Sequence, residues 1–340
     1  PTMTSVISTS GFEHLDPNQI KEEFLVYKRP KEGTGVNFVA GKRYVWARDE
    51  EAKKQKLKKW IAAEVVDDKD PAVMTIMPCG TSDKWTVDKE ECFPVNKGKN
   101  DGVDDCARLD ELSEASVLWN LKLRYAVNKI YTYSGLFCVA LNPYLRFPIY
   151  VPSIIKMYTG KRREELPPHV YAIADHAYRE LLATGRSQSM LVTGESGAGK
   201  TVNTKFIIKY LAAIAGRGGA EGELEKQLLD ANPILEALGN AKTIKNDNSS
   251  RFGKFIKITF GTDSYISGGS IVSYLLEKSR VTFQLADERN FHMFYQMCKG
   301  LPDNKKGEYA ITDTDDYHFC NQGNAANVPD YDDILEFKAT

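Results

Sequence analysis

The 340-residue sequence contains no C-x-x-C pair, and its six cysteines, Cys79, Cys92, Cys106, Cys138, Cys298 and Cys320, are scattered. The five histidines do not cluster near them, which speaks against both structural zinc and a disulfide framework. Reduced thiols of a cytosolic protein are the reading that remains. An excess charge of either sign is also missing. Lys and Arg number 45 and Asp and Glu 46, a net charge of −1, so no field favours nucleic acid or an anionic membrane. The longest apolar runs fall far short of a bilayer span. The start, Pro1-Thr2-Met3-Thr4, has neither the basic stretch nor the apolar core of a secretory signal.

What is there is ordinary for a globular protein: 42% hydrophobic and 27% charged residues. The length allows a large buried core and suggests about two domains.

The stretch with the most chemistry is Ser189–Thr201, S-M-L-V-T-G-E-S-G-A-G-K-T. Met190-Leu191-Val192 suits a buried strand of a parallel sheet. Gly194, Glu195, Ser196, Gly197, Ala198, Gly199, Lys200 and Thr201 then spell G-x-x-x-x-G-K-[ST], with a helical pattern from about Val202 to Ala215. Glycines let successive N–H groups turn inward onto phosphate oxygens, and the helix aims its positive end at the same anion. Lys200 reaches the β- and γ-phosphates, and the Thr201 hydroxyl is a magnesium ligand. A nucleoside triphosphate is the expected ligand. The guanine signature N-K-x-D does not occur.

Along the rest of the chain, residues 1–35 read as a polar N-terminal extension with a short helix near Pro17–Val26. Residues 36–95 read as a small β module, with runs at Tyr44–Trp46, Ile61–Val66, Ala72–Met77 and Lys84–Val87. The basic run Lys53–Lys59 reads as a solvated face. From residue 96 the pattern is mixed. A connector at Asp101–Cys106 leads to a helix at Ser116–Tyr125, and Gly135–Leu141 reads as another buried strand. A helix then runs through about Leu182, with Gly185 stopping it. His169 and His176 on that stretch read as packing or surface residues. Gly216–Gly222 is a loop by composition, followed by helix at Glu223–Asn232. Antiparallel strands are expected between Phe255 and Val281, at the edge of a central sheet, and a buried helix at Phe291–Met297. The expected class is α/β: a mixed central sheet flanked by helices, after a barrel-like β module.

A phosphate loop alone names no function. The deciding segment is Asn246-Asp247-Asn248-Ser249-Ser250-Arg251-Phe252-Gly253-Lys254. With G-E-S-G-A-G-K-T it resembles the myosin motor domain, conventional class. Ile130–Gly135, Asn142-Pro143, Pro148–Tyr150, Ala231–Ala237 and Leu275–Arg280 add to the likeness, which extends from about Val45 to Phe337. The resemblance implies a P-loop NTPase core that binds ATP with Mg²⁺ and works on actin filaments. It also implies light chains and a second heavy chain, engaged through a coiled-coil tail and other regions outside this sequence, in a cytoplasmic, cytoskeletal setting.

Roles carry over residue by residue. Ser250 resembles a magnesium ligand alongside Thr201. Lys245 and Asn246 are placed for phosphate or ribose oxygens, and Ser196 and Ser249 flank the γ-phosphate and orient a water. Arg251 resembles the arginine that pairs with a glutamate of a second switch. Asn142, Pro143, Arg146 and Tyr150 resemble the purine side. Two departures stand out: Val202 where the family usually has Glu, and Leu238 for a Phe, read as a tolerated core exchange. Downstream of Lys254 no Asp is followed three residues later by Gly, so the second switch is missing. The expectation is therefore the N-terminal part of a motor, truncated before that switch and not competent alone for turnover. A non-hydrolysing nucleotide-binding fragment, and another phosphate-loop enzyme such as a small-molecule kinase, are the competing readings.

Overall fold

The computed structural model of the chain describes residues 15–26, 38–49, 59–96, 101–216, 223–329 and 331–340. Most of the N-terminal extension, Lys53–Lys58 of the basic run and 217–222 of the glycine-rich loop lie outside the described residues. The described residues group into two compact units. One takes the stretch up to Ile149 together with Arg162–Val170; the other takes Tyr150–Lys161 and Tyr171–Thr340.

In the first unit, the short β-rich runs form β1 (Tyr44–Arg48), β2 (Trp60–Asp67), β3 (Val73–Pro78), β4 (Trp85–Asp88) and β5 (Phe93–Pro94). They make one antiparallel sheet in the order β4-β3-β2-β1-β5. Strand side chains alternate between faces, so the apolar content of β1 serves two cores. Val45 and Ala47 pack with Ala63, Met74 and Ile76 on one side. Trp46 and Ala62 pack on the other, with Ala115 of helix α1 (Glu114–Tyr125). Ser113 caps α1 by accepting from the Ser116 amide. Arg124, 1% exposed, has its burial offset by acceptors: Asp104, Thr132 Oγ1 and the carbonyls of Gly102 and Tyr131.

Gly135–Leu141 departs from expectation. β7 (Phe137–Ala140) is one arm of an antiparallel hairpin with β6 (Tyr131–Ser134), turned at Gly135 with φ +57°. Phe137 is 76% exposed. A two-stranded hairpin has an open flank, so an apolar run in it need not be buried.

In the second unit, α2 (Pro152–Tyr158), α3 (Val170–Thr184) and α4 (Lys200–Ala215) share an aromatic seam of Tyr158, Tyr171 and Tyr210. Gly185, φ +65°, ends α3 as its sequence position implies. Buried Asp175 of α3 accepts from Tyr210 Oη (2.8 Å), Arg179 Nε (2.7 Å) and the Gly160 amide (3.1 Å). That set fixes α4, which is apolar nearly all round: Phe206, Ile207, Ile208, Leu211, Ala212 and Ala215 are buried.

Helix α5 (Glu223–Gly239) runs through Pro233, two turns past its expected end. Proline removes one amide donor from the ladder, yet the helix continues. It delivers the chain into β8 (Asn240–Thr243), which pairs with β9 (Asn246–Ser250), and then into the ribbon β10 (Gly253–Phe260) and β11 (Ile266–Tyr274). Helices α6 (His292–Gly300) and α7 (Asp333–Ala339) close the unit through buried Asp333, which binds Arg289 (2.7 Å) and Lys299 (2.9 Å).

The expected strand Met190–Val192 has no assigned secondary structure and no ladder partner among the described residues, and Leu191 is 90% exposed. A strand buried on both faces needs neighbours on either side, and the described residues supply none. Among them the named strands pair only antiparallel, so the mixed central sheet and its edge position for β10–β11 are not assembled there. Leu238 is 54% exposed, so it is not the core exchange its sequence context suggested.

Candidate functional site

Gly194, Gly197 and Gly199 all take positive φ, +154°, +79° and +94°. A Cβ on Gly194 would come 3.2 Å from that of Ala198, so the loop is drawn tightly on itself. Lys200 folds back over it, its Nζ donating to the carbonyls of Gly194 (2.7 Å) and Glu195 (2.9 Å). Gly199 is the N-cap of α4, whose first turn carries Thr201 and Val202, both half-buried.

β9 brings the second segment to this loop. It is a polar strand, not the surface loop its composition would allow. Ser196 Oγ donates to Ser249 Oγ at 2.8 Å, and Asn246 Nδ2 to Ser196 Oγ at 3.4 Å. Lys245 stands 3.9 Å from Glu195, both highly exposed. Arg251 Nη1 donates to Ser249 Oγ at 3.1 Å, and its Nε to Glu277 Oε2 at 2.7 Å. Arg280 Nε reaches the same Glu277 oxygen at 2.7 Å. Burial by itself raises the Glu277 pKa, but hydrogen bonds from Arg251 and Arg280 outweigh it and hold the carboxyl below the usual range.

Ser196, Asn246, Ser249 and Arg251 are thus brought together at the glycine-rich loop. Ser250, the other hydroxyl proposed for magnesium, is exposed at the end of β9. Tyr150 lies in the same unit; its ring stacks on Phe206 with centroids 3.5 Å apart, so one face is already taken. Asn142, Pro143 and Arg146 belong to the other unit, where Asn142 Oδ1 accepts from the Tyr144 amide at 3.0 Å.

Three residues of this neighbourhood escaped the sequence reading as functional groups. Glu277 sits in L-L-E-K-S-R and Glu236 in A-N-P-I-L-E-A, each an acid embedded in an apolar run, and Lys205 is a cation inside the buried helix α4. A charge where the pattern calls for an apolar residue was the available signal.

The arrangement suits a triphosphate with a hard divalent cation. The loop is tight and glycine-shaped, an ammonium already lies across its carbonyls, and Thr201 and Ser250 offer hydroxyl oxygens. No metal-type cluster of His, Cys, Asp and Glu occurs among the described residues. No helix among them is long and apolar enough to cross a membrane.

A glycine-shaped loop joined to a hydroxyl-bearing strand is compatible with phosphate binding, and comparison with known proteins gives the family. The family described as myosin head (motor domain) matches residues 103–340. A non-muscle myosin-2 heavy chain of Acanthamoeba castellanii is 55% identical over 244 residues, 72% of this chain and 16% of that protein. The chain belongs to the myosin head (motor domain) family, and its likeness is to the conventional, class II-like members. It spans about one-sixth of the length of that relative, and the family match starts beyond the five-stranded sheet.

Proposed function

We propose that this chain is the nucleotide-binding N-terminal part of an actin-based motor, which couples Mg·ATP binding and hydrolysis to movement on actin filaments. The observation that carries the reading is the Ser196–Ser249 hydroxyl contact, 2.8 Å. It unites the two motifs that a γ-phosphate would need to find together. In this reading the chain is a P-loop NTPase core from residue 96 onward, preceded by a barrel-like module over 36–95.

The loop Gly194–Thr201 holds the phosphates, with the Lys200 ammonium moving from carbonyl to phosphate oxygen. Thr201 and Ser250 hold magnesium, which when bound offsets the charge on the β- and γ-phosphates. Ser196 and Ser249 hold a water, Asn246 holds phosphate or ribose oxygen, and Arg251 orients Ser249. By the resemblance, Asn142, Pro143, Arg146 and Tyr150 each carry a purine-side role. Actin, light chains and a second heavy chain are the partners of the whole protein, in a cytoplasmic actomyosin assembly.

The test is Mg²⁺-ATPase activity of the full polypeptide with and without filamentous actin. Stimulation by actin supports the motor. ATP binding without turnover in the full polypeptide would replace it with a non-hydrolysing nucleotide-binding protein. For the 340 residues alone, which hold no D-x-x-G segment after Lys254, we expect binding without efficient turnover.

A further inference from the structure

Behind the phosphate loop a second connection joins α4 to β9, and it runs through one carboxylate. Glu236, near the end of α5, faces Lys205 of α4 with Oε1 3.4 Å from Nζ. Its other oxygen, Oε2, accepts from Asn248 Nδ2 at 3.2 Å. The Lys205 side chain is 9% exposed and that of Glu236 16%, so both are largely withdrawn from water.

Asn248 is pinned on every side. Its Oδ1 accepts from Asn240 Nδ2 (2.8 Å), its amide donates to Asn246 Oδ1 (3.1 Å), and its carbonyl accepts from Asn246 Nδ2 (3.2 Å). The next residue is Ser249, whose hydroxyl meets Ser196 at the front of the loop. The contacts therefore close a circuit: Ser196, Ser249, Asn248, Glu236, Lys205, and back along α4 to the loop.

We propose that Glu236 is a positioning residue that fixes the spacing between the phosphate loop and the Asn246–Ser250 strand, with Lys205 and Asn248 as its two handles. A buried Lys–Glu pair by itself is weak evidence for stability. Here the carboxylate is divided between a cation on one wall of the site and an amide on the other. Displacement of either wall is felt by the opposite one. Two further charges face Glu236: Lys254 of β10, whose Nζ donates to Asn232 Oδ1 at 2.8 Å, and Glu336 of α7. The carboxylate is thus the counter-charge of Lys205 on α4 and Lys254 on β10, while Glu336 on α7 is a like charge that opposes it.

The proposal rests on the nucleotide reading of Gly194–Thr201, and the experiment separates the two. MgATP is titrated into the 340-residue chain and into Lys205→Met, Asn248→Ala and the double variant, alongside amide hydrogen exchange of residues 246–250 without nucleotide. Each single substitution is expected to weaken binding about fivefold to tenfold, and the double no more than the worse single, because both cut the same circuit. Exchange at 246–250 should quicken alike in all three. Glu236→Gln, which keeps an acceptor for Asn248 but drops the charge, covers the case in which Lys205→Met does not fold; it should weaken binding less than Asn248→Ala. Multiplicative losses, or unchanged affinity with only a lower melting temperature, would overturn the proposal. If the parent chain fails to bind MgATP, the nucleotide reading falls. The exchange rates then decide the circuit, with unchanged rates rejecting it.

Discussion

Arg251 and Glu277 meet twice: through side chains, Nε to Oε2 at 2.7 Å, and through backbone, the Glu277 amide donating to the Arg251 carbonyl at 2.9 Å. The resemblance implied a carboxylate of a second switch as the partner of this arginine. Within this chain Glu277 takes that place. It also holds Arg280, which is 5% exposed and keeps a second partner in Glu288 at 3.0 Å.

Glu277→Gln should therefore loosen Arg251 more than Arg280. Losing a charge-assisted partner for a part-buried arginine costs about 1–3 kcal/mol. The expected result in a chemical-denaturation curve is a loss in that range, with weaker MgATP binding because Arg251 no longer steadies Ser249. The pH dependence has a defined sign. The folded carboxyl titrates below its ordinary value of 4.5, so its stabilisation is complete above that pH and fades as pH falls through the lower folded value. Parent and variant curves should draw together as the pH falls below 4.5. Parent and variant curves that coincide at neutral pH would count against the pair.

Lys200 offers a cleaner separation of binding from stability. Its ammonium bonds are to exposed loop carbonyls, which water can replace. Lys200→Met should leave the melting temperature within a degree or two, since exposed polar changes shift stability by about 0.5 kcal/mol or less. Loss of one charge-assisted contact to phosphate should weaken MgATP binding about tenfold to a hundredfold. Calorimetric titration beside a thermal melt reads both. A large drop in melting temperature would mean that the lysine is a structural clamp.

Two buried histidines set how the units respond to acid. His169 packs against Tyr131 in the first unit, and His292 stacks on Tyr331 in the second, with ring centroids 4.3 Å apart. Burial lowers each pKa to about 3. Both stay neutral in the fold while the unfolded chain takes up protons below its ordinary value of 6.5. Stability therefore falls as pH drops from 6.5 toward 3, by about 2 kcal/mol per histidine at pH 5. His292→Phe should flatten that slope between pH 7 and 5 in urea-denaturation midpoints. An unchanged slope would show that the imidazole takes up a proton in the fold.

Legibility in the sequence followed the range of the forces involved. The strands β1–β4 were readable because short β-rich runs, Tyr44–Trp46, Ile61–Val66, Ala72–Met77 and Lys84–Val87, are separated by turn residues. The tight turn at Gly194–Gly199 and the helix α4 after it were readable because glycines impose local backbone geometry. The segment Met190–Val192 was not, because an apolar run reports preference for burial and not which strand lies beside it. Glu277 was missed for a related reason. Its role comes from Arg251, 26 positions away, through a contact that no local pattern encodes. Leu136–Phe137 misled in the other direction, since the hairpin turn at Gly135 left those side chains in water.

A tight approach at the end of α5 gives the last prediction. A Cβ at Gly239, the final residue of α5, would lie 2.5 Å from the ring of Phe252. The Gly239 carbonyl also accepts from the Arg251 amide at 2.9 Å. Gly239→Ala must therefore push Phe252 away from the helix end and drag Arg251 with it. Overpacking of this kind costs about 1–3 kcal/mol. The strain falls on the turn that orients Arg251 toward Ser249, so affinity for MgATP should fall together with stability. Phe252→Leu, which removes the ring, should restore much of both in the double variant. If Gly239→Ala lowers stability and Phe252→Leu does not relieve it, the clash lies elsewhere, and the ring is not what holds this turn in place.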